Sequence, residues 1–100
     1  MIKVKIIYEG DLFKSLKVTG HANSAAYGHD LVCSAVSAVV TGGFNNLKEI
    51  DSFNVTLKEG NASLEAVKEI SQHDKVVIET IITGLKTIAL EDPDFIKIEQ

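Results

Sequence analysis

Ile2-Lys3-Val4-Lys5-Ile6-Ile7-Tyr8-Glu9-Gly10-Asp11 follows Met1, and after Leu12 comes Phe13-Lys14-Ser15-Leu16-Lys17-Val18-Thr19. In the first run Ile2, Val4, Ile6 and Tyr8 alternate with Lys3, Lys5 and Glu9. In the second, Leu16 and Val18 alternate with Ser15, Lys17 and Thr19. A period of two marks strands with one buried face, and Glu9-Gly10-Asp11 supplies the turn between them. The reading is a β-hairpin, and it sets the pattern for the rest.

Outward from that hairpin, residues 20–28 carry small side chains with glycine at both ends and no period, which reads as a loop. Asp30 precedes the apolar run Leu31-Val32-Cys33-Ser34-Ala35-Val36-Ser37-Ala38-Val39-Val40, a helix for which Asp30 is the expected N-cap, worth about 1 kcal/mol. The helix should continue past Gly42-Gly43 to about Lys48. Two glycines there call for either a bend or a close neighbour, since each costs about 1 kcal/mol relative to alanine. Phe53, Val55 and Leu57, the turn Glu59-Gly60-Asn61 and a weaker strand from Ala62 to Val67 make a second hairpin.

Between Ser71 and Leu90 the apolar residues Val77, Ile78, Ile81, Ile82, Leu85, Ile88 and Ala89 recur at helical spacing and form one stripe. Pro93 bars continuation, and Phe95, Ile96 and Ile98 form a short last strand. The expected fold is a single α+β domain over residues 1–100, of order ββαββαβ, with a mostly antiparallel sheet and two helices on one face.

Composition removes several classes of function. The ten basic residues are all lysines and the formal net charge is -4, so a broad phosphate-neutralising face is absent and nucleic acid is not an expected partner. Without arginine, the guanidinium fork of a cysteine phosphatase has no source. No apolar run approaches the roughly 20 residues that span a bilayer, and the first residues lack the apolar core of a signal peptide. A cytoplasmic location is expected, with no membrane partner.

One cysteine, Cys33, rules out an intrachain disulfide and a CxxC pair. A lone thiol is either a buried small hydrophobe or a nucleophile. With Asp30 as N-cap, Cys33 would stand in the first helical turn, where free backbone N–H groups and the positive end of the helix dipole favour a thiolate. A nucleophile also needs a base. His21, twelve residues earlier at the exit of the second strand, is the candidate, its alternative being a surface histidine beside a glycine turn.

His29 could serve as a second base, or join His21 and Cys33 in a three-ligand metal site. The expectation is no metal and no cofactor. Asp30 could also orient His21. Ser37, one turn after Cys33, could contact substrate or hydrogen-bond a carbonyl of its own helix, whereas Ser34 and Thr41 are expected to do the latter. Gly20 and Gly28 flank the loop as hinges or as turn formers, and Tyr27 is its only large contact surface. The segment 21–29 is expected to act as a mobile cover over the thiol. His73 reads as an exposed helix residue.

Gly20-His21-Ala22, a short small-residue loop, then Gly28-x-Asp30-x-Val32-Cys33-x-x-Val36-Ser37 resembles the ribosomal-processing cysteine protease family called Prp. Element order and chain length fit along the whole chain. The resemblance implies a homodimeric bacterial cysteine protease that removes the N-terminal extension of large-subunit ribosomal protein twenty-seven. Cys33 then matches the nucleophile and His21 the general base, with Asp30 and Ser37 around the site and Gly20, Gly28 and Tyr27 shaping the cover. Ser34 stands where alanine is expected. The competing expectation is a non-catalytic ribosome-associated module in which Cys33 is core and the loop binds a peptide.

Overall fold

The computed structural model describes residues 1–20 and 27–100, with the side chains of 27–30 left aside. Five strands and two helices follow the expected order: β1 (Ile2–Glu9), β2 (Leu12–Thr19), α1 (Tyr27–Asn45), β3 (Phe53–Lys58), β4 (Asn61–Ala66), α2 (Gln72–Glu91) and β5 (Ile96–Glu99). The sheet order is β3-β4-β2-β1-β5. Three pairings are antiparallel, while β5 lies parallel to β1, so the sheet is mixed.

The alternation read in the sequence becomes a two-layer core. Val4 faces Val18, Ile6 faces Leu16, Leu16 faces Leu64 and Ile2 faces Ile96, all of them buried. Lys5 faces Lys17 on the opposite, exposed surface. The apolar face is covered by Val32, Val36, Val40 and Phe44 of α1 and by Val77, Ile78, Ile81, Ile82 and Leu85 of α2. Burial of this kind stabilises by about 1.5–3 kcal/mol per large side chain.

Tyr8 departs from the pattern. The register of β1 and β2 slips after Ile7, which faces Ser15, so that Tyr8 faces Phe13 and Lys14 is left as the extra residue of a bulge. Tyr8, two residues past Ile6, keeps the helix-side face and lines a hollow with Ile78 and Ile82 while staying exposed; the bulge turns Phe13 to that same face, where the two rings meet edge to face at 6.2 Å between centres.

The glycine pair in α1 reports close packing. A Cβ on Gly43 would overlap Cγ1 and Cδ1 of Ile81, and one on Gly84 would come within 2.9 Å of Val39 Cγ1, whereas Gly42 has open space. The two helices approach through Gly43 and Gly84, and α1 ends at Asn45 rather than Lys48.

Its start also differs. The helix begins at Tyr27, so Asp30 is its fourth residue rather than the N-cap, and Gly28 lies inside it rather than at a loop hinge. A helical glycine costs only about 1 kcal/mol, which the packing of a 19-residue helix outweighs. The proposed mobile cover is shortened accordingly, because residues 27–29 belong to α1. Residues 21–26, with His21 among them, lie outside the described residues.

Polar groups are also used to build the fold. Ser71 caps α2 by accepting from the N–H of Asp74. The Asp74 carboxylate is fully buried and accepts from the backbone N–H groups of Lys48 and Glu49, each at 2.9 Å. His73 Nδ1 donates to the same carboxylate at 2.8 Å, so His73 is a half-exposed partner rather than a free surface residue. Burial alone would raise the Asp74 pKa, but the hydrogen bonds from Lys48, His73 and Glu49 outweigh it and hold the pKa below the ordinary 3.8. Asp74 thus ties the chain leaving α1 to the first turn of α2.

Candidate active site

The cleft arises because the helix layer is narrower than the sheet. Val55 and Leu57 of edge strand β3 pair with the buried Leu64 and Ala62, yet remain 39% and 47% exposed. Between α1 and the β3–β4 turn this leaves a cleft of about 420 Å³, within the range that holds a small ligand or a short peptide segment. Cys33, Val36, Ser37, Val40 and Thr41 form its α1 wall, and Leu57, Lys58, Glu59, Gly60 and Asn61 form the other. Ile2, Val18 and Ala62 make an apolar floor.

Cys33 is half-buried: it packs against the core and also lines the cleft, so the two readings of the thiol share one position. It is the seventh residue of α1, beyond the first turn. The free N–H groups belong to the first four helical residues and the dipole fades within the first turn, so the helix start is not what would activate this thiol. Activation falls to a base, and any oxyanion needs donors other than the Cys33 N–H, which the helix uses.

Gly20 shares the cleft with Cys33 and Ser37. It has φ +100°, and a Cβ there would overlap the Met1 carbonyl oxygen, so glycine is required by both conformation and space. Its N–H donates to the carbonyl of Gly60 at 3.1 Å, which fastens the end of β2 to the β3–β4 turn. His21 follows directly in the chain. The side chains of Tyr27, His29 and Asp30 are not described, so their expected roles, including the metal reading of His29, lie outside the described side chains. Among the described residues no cluster of three or more His, Cys, Asp or Glu could hold a metal ion.

Thr41 corrects an expectation. Thr80 and Thr87 in α2 do donate to carbonyls one turn back, each at 2.8 Å, whereas Thr41 makes no such bond and is half-buried along the cleft. The Ser34 hydroxyl makes none either. Sequence reading also missed the β3–β4 turn as a wall, since only the strand order brings Gly60 beside Gly20. Asp74 was missed as well, although Ser71-x-x-Asp74 is a capping-box spacing that could have marked it. A larger hollow of about 720 Å³, lined by Tyr8, Leu12, Phe13 and Ile70 among others, contains neither thiol nor histidine.

A lone half-buried thiol in the wall of a cleft on a small α+β sheet offers what the nucleophile of a cysteine hydrolase needs. The family model of cysteine protease Prp matches residues 1–97, and the chain belongs to that family; it is a cysteine protease. It is similar to the ribosomal processing cysteine protease Prp of Bacillus subtilis, with 34% identity over 94 residues, covering 84% of this chain and 82% of that protein. The Staphylococcus aureus protein of the same name is 30% identical over 76 residues, 72% of each chain. Among solved structures, S. aureus Prp with a substrate peptide superposes with TM-score 0.85 at 25% identity, covering 99% of this chain and 98% of that one. The same protease with a covalently linked product peptide gives TM-score 0.83 at 26% identity, with the same coverage. No helix among the described residues is long and apolar enough to cross a membrane.

Proposed function

We propose that this cysteine protease trims the N-terminal extension from large-subunit ribosomal protein twenty-seven in the cytoplasm, as a homodimer of one domain per chain. The observation that carries the reading is the half-buried Cys33 in the wall of the cleft, in a chain that shares its fold with a protease solved with a peptide bound.

Cys33 Sγ, its proton taken by the His21 imidazole, attacks the scissile carbonyl carbon. The tetrahedral intermediate collapses as His21 passes that proton to the leaving amine, giving a thioester. Water, deprotonated by His21, then attacks the thioester, and Cys33 leaves as the thiolate to be reprotonated. Gly20 supports the base, since it anchors the chain at the cleft immediately before His21. Asp30 orients His21, Ser37 contacts substrate one turn past the nucleophile, and Gly28 and Tyr27 shape the entrance from the first turn of α1. Neither a metal nor a cofactor takes part.

The test is incubation with a peptide spanning the extension and the start of the mature ribosomal protein. A single cut by the wild type, lost in Cys33→Ala, supports the reading. Full cleavage by Cys33→Ala, or none by the wild type, overturns it.

A further inference from the structure

Cys33, Ser37 and Thr41 follow one another at four-residue intervals along α1, and all three line the cleft. Four helical residues rise about 6 Å, so the three Sγ and Oγ atoms form a ladder with steps of about that length. An extended peptide repeats its backbone hydrogen-bonding groups on one side every second residue, a step of about 6.6 Å. The two steps differ by only about 0.6 Å. The Thr41 hydroxyl has no hydrogen-bond partner among the described residues, and Thr41 is half-buried in the α1 wall of the cleft beside Val40. A hydroxyl can donate to a carbonyl or accept from an N–H, so it reads backbone rather than side chain.

We infer that Thr41 is a substrate-positioning residue: its hydroxyl hydrogen-bonds the backbone of the extended substrate about four residues from the scissile bond, continuing a track that starts at Cys33 and passes Ser37. The inference rests on Cys33 being the nucleophile. It extends the site by a full helical turn and gives the protease a grip on length that is insensitive to side chains at that point. Apolar substrate side chains of one parity then face the floor of Val18 and Ala62.

The experiment measures binding and cleavage separately. Fluorescent peptides spanning the cleavage site of the ribosomal protein precursor are titrated into Cys33→Ala protein with and without Thr41→Val. One peptide is long on both sides, and two are cut to a single residue on one side or the other. The long peptide should bind about three- to tenfold more weakly with Thr41→Val, as expected for one lost hydrogen bond. One of the two short peptides should be insensitive to the substitution, and Thr41→Ser should restore binding of the long one. Unchanged binding of the long peptide, or equal losses on all three, overturns the inference. Wild-type cleavage is read on the same peptides. Absence of cleavage with the Thr41 dependence intact sinks the Cys33 reading while the hydroxyl contact stands as peptide binding.

Discussion

The cleft beside Cys33 and the carboxylate of Asp74 lie towards opposite ends of α1, and they treat polar atoms in opposite ways. At Asp74 both oxygens are engaged: the Lys48 and Glu49 N–H groups and His73 converge on one buried carboxylate. In the cleft the Ser37 and Thr41 hydroxyls have no partner among the described residues, although Thr80 and Thr87 satisfy theirs on their own helix. Buried polar groups that hold a fold must be paired, because an unmet one costs about 1–3 kcal/mol. Polar groups that wait for a ligand must stay open, and only a site with water access tolerates that. The difference accords with the proposal that Asp74 holds the structure while Ser37 and Thr41 meet a substrate.

The comparison breaks most visibly at its two centres. Cys33→Ser should lower kcat/KM on the precursor peptide by about 10³-fold or more and leave the unfolding free energy in urea within about 0.5 kcal/mol of wild type, since a small half-buried side chain is replaced by a near isostere. Asp74→Ala should do the reverse. Removing the acceptor of two backbone N–H groups should destabilise by about 2–5 kcal/mol in urea unfolding, with kcat per folded molecule unchanged. A loss of activity at full stability in Asp74→Ala would erase the distinction.

His21→Ala is expected to reduce turnover by about 10²-fold without shifting the melting temperature. A stability loss would instead move His21 to the structural side. Acid sharpens the same contrast. The Asp74 pKa is depressed in the folded state, so its contribution is fully present above the ordinary 3.8 and is lost as pH falls below that through the folded value. Urea midpoints of the wild type should fall as pH drops below that ordinary value, and the fall should be shallower in Asp74→Asn. Gly43→Ala should cost about 1–3 kcal/mol, because the new Cβ overlaps Ile81, while Gly42→Ala should be neutral or slightly stabilising. Equal effects at the two glycines would show that the helices do not meet through Gly43.

Much of the molecule is legible from local pattern. The hairpin turns at Gly10 and Gly60 and the stripe of α2 from Val77 to Leu85 stand where spacing placed them. The thiol at Cys33, Ser37 one turn later, and Gly20 ahead of His21 could also be picked out. The start of α1 could not, because a good capping residue at Asp30 competes with a longer helix whose packing is worth more than the cap. Tyr8 misled for a different reason, since alternation gives a residue's face but not its cover: Tyr8 stands on the helix side, beside the hollow that Ile78 and Ile82 also line, yet stays exposed.

By itself the sequence determined which segments extend, which coil, which face most of them turn to the core, and that His21 and Cys33 bound the segment 22–32, because these follow from residue type and spacing over a few neighbours. The tertiary structure alone decided that β5 enters parallel beside β1, that β3 stands uncovered at the edge, and that Gly60 meets Gly20 to close one end of a cleft. It also chose Lys48 and Glu49 as partners for Asp74. Those outcomes join residues far apart in the chain, and they are set by competition among all the surfaces seeking burial and all the backbone groups seeking a partner, a balance that no local period records.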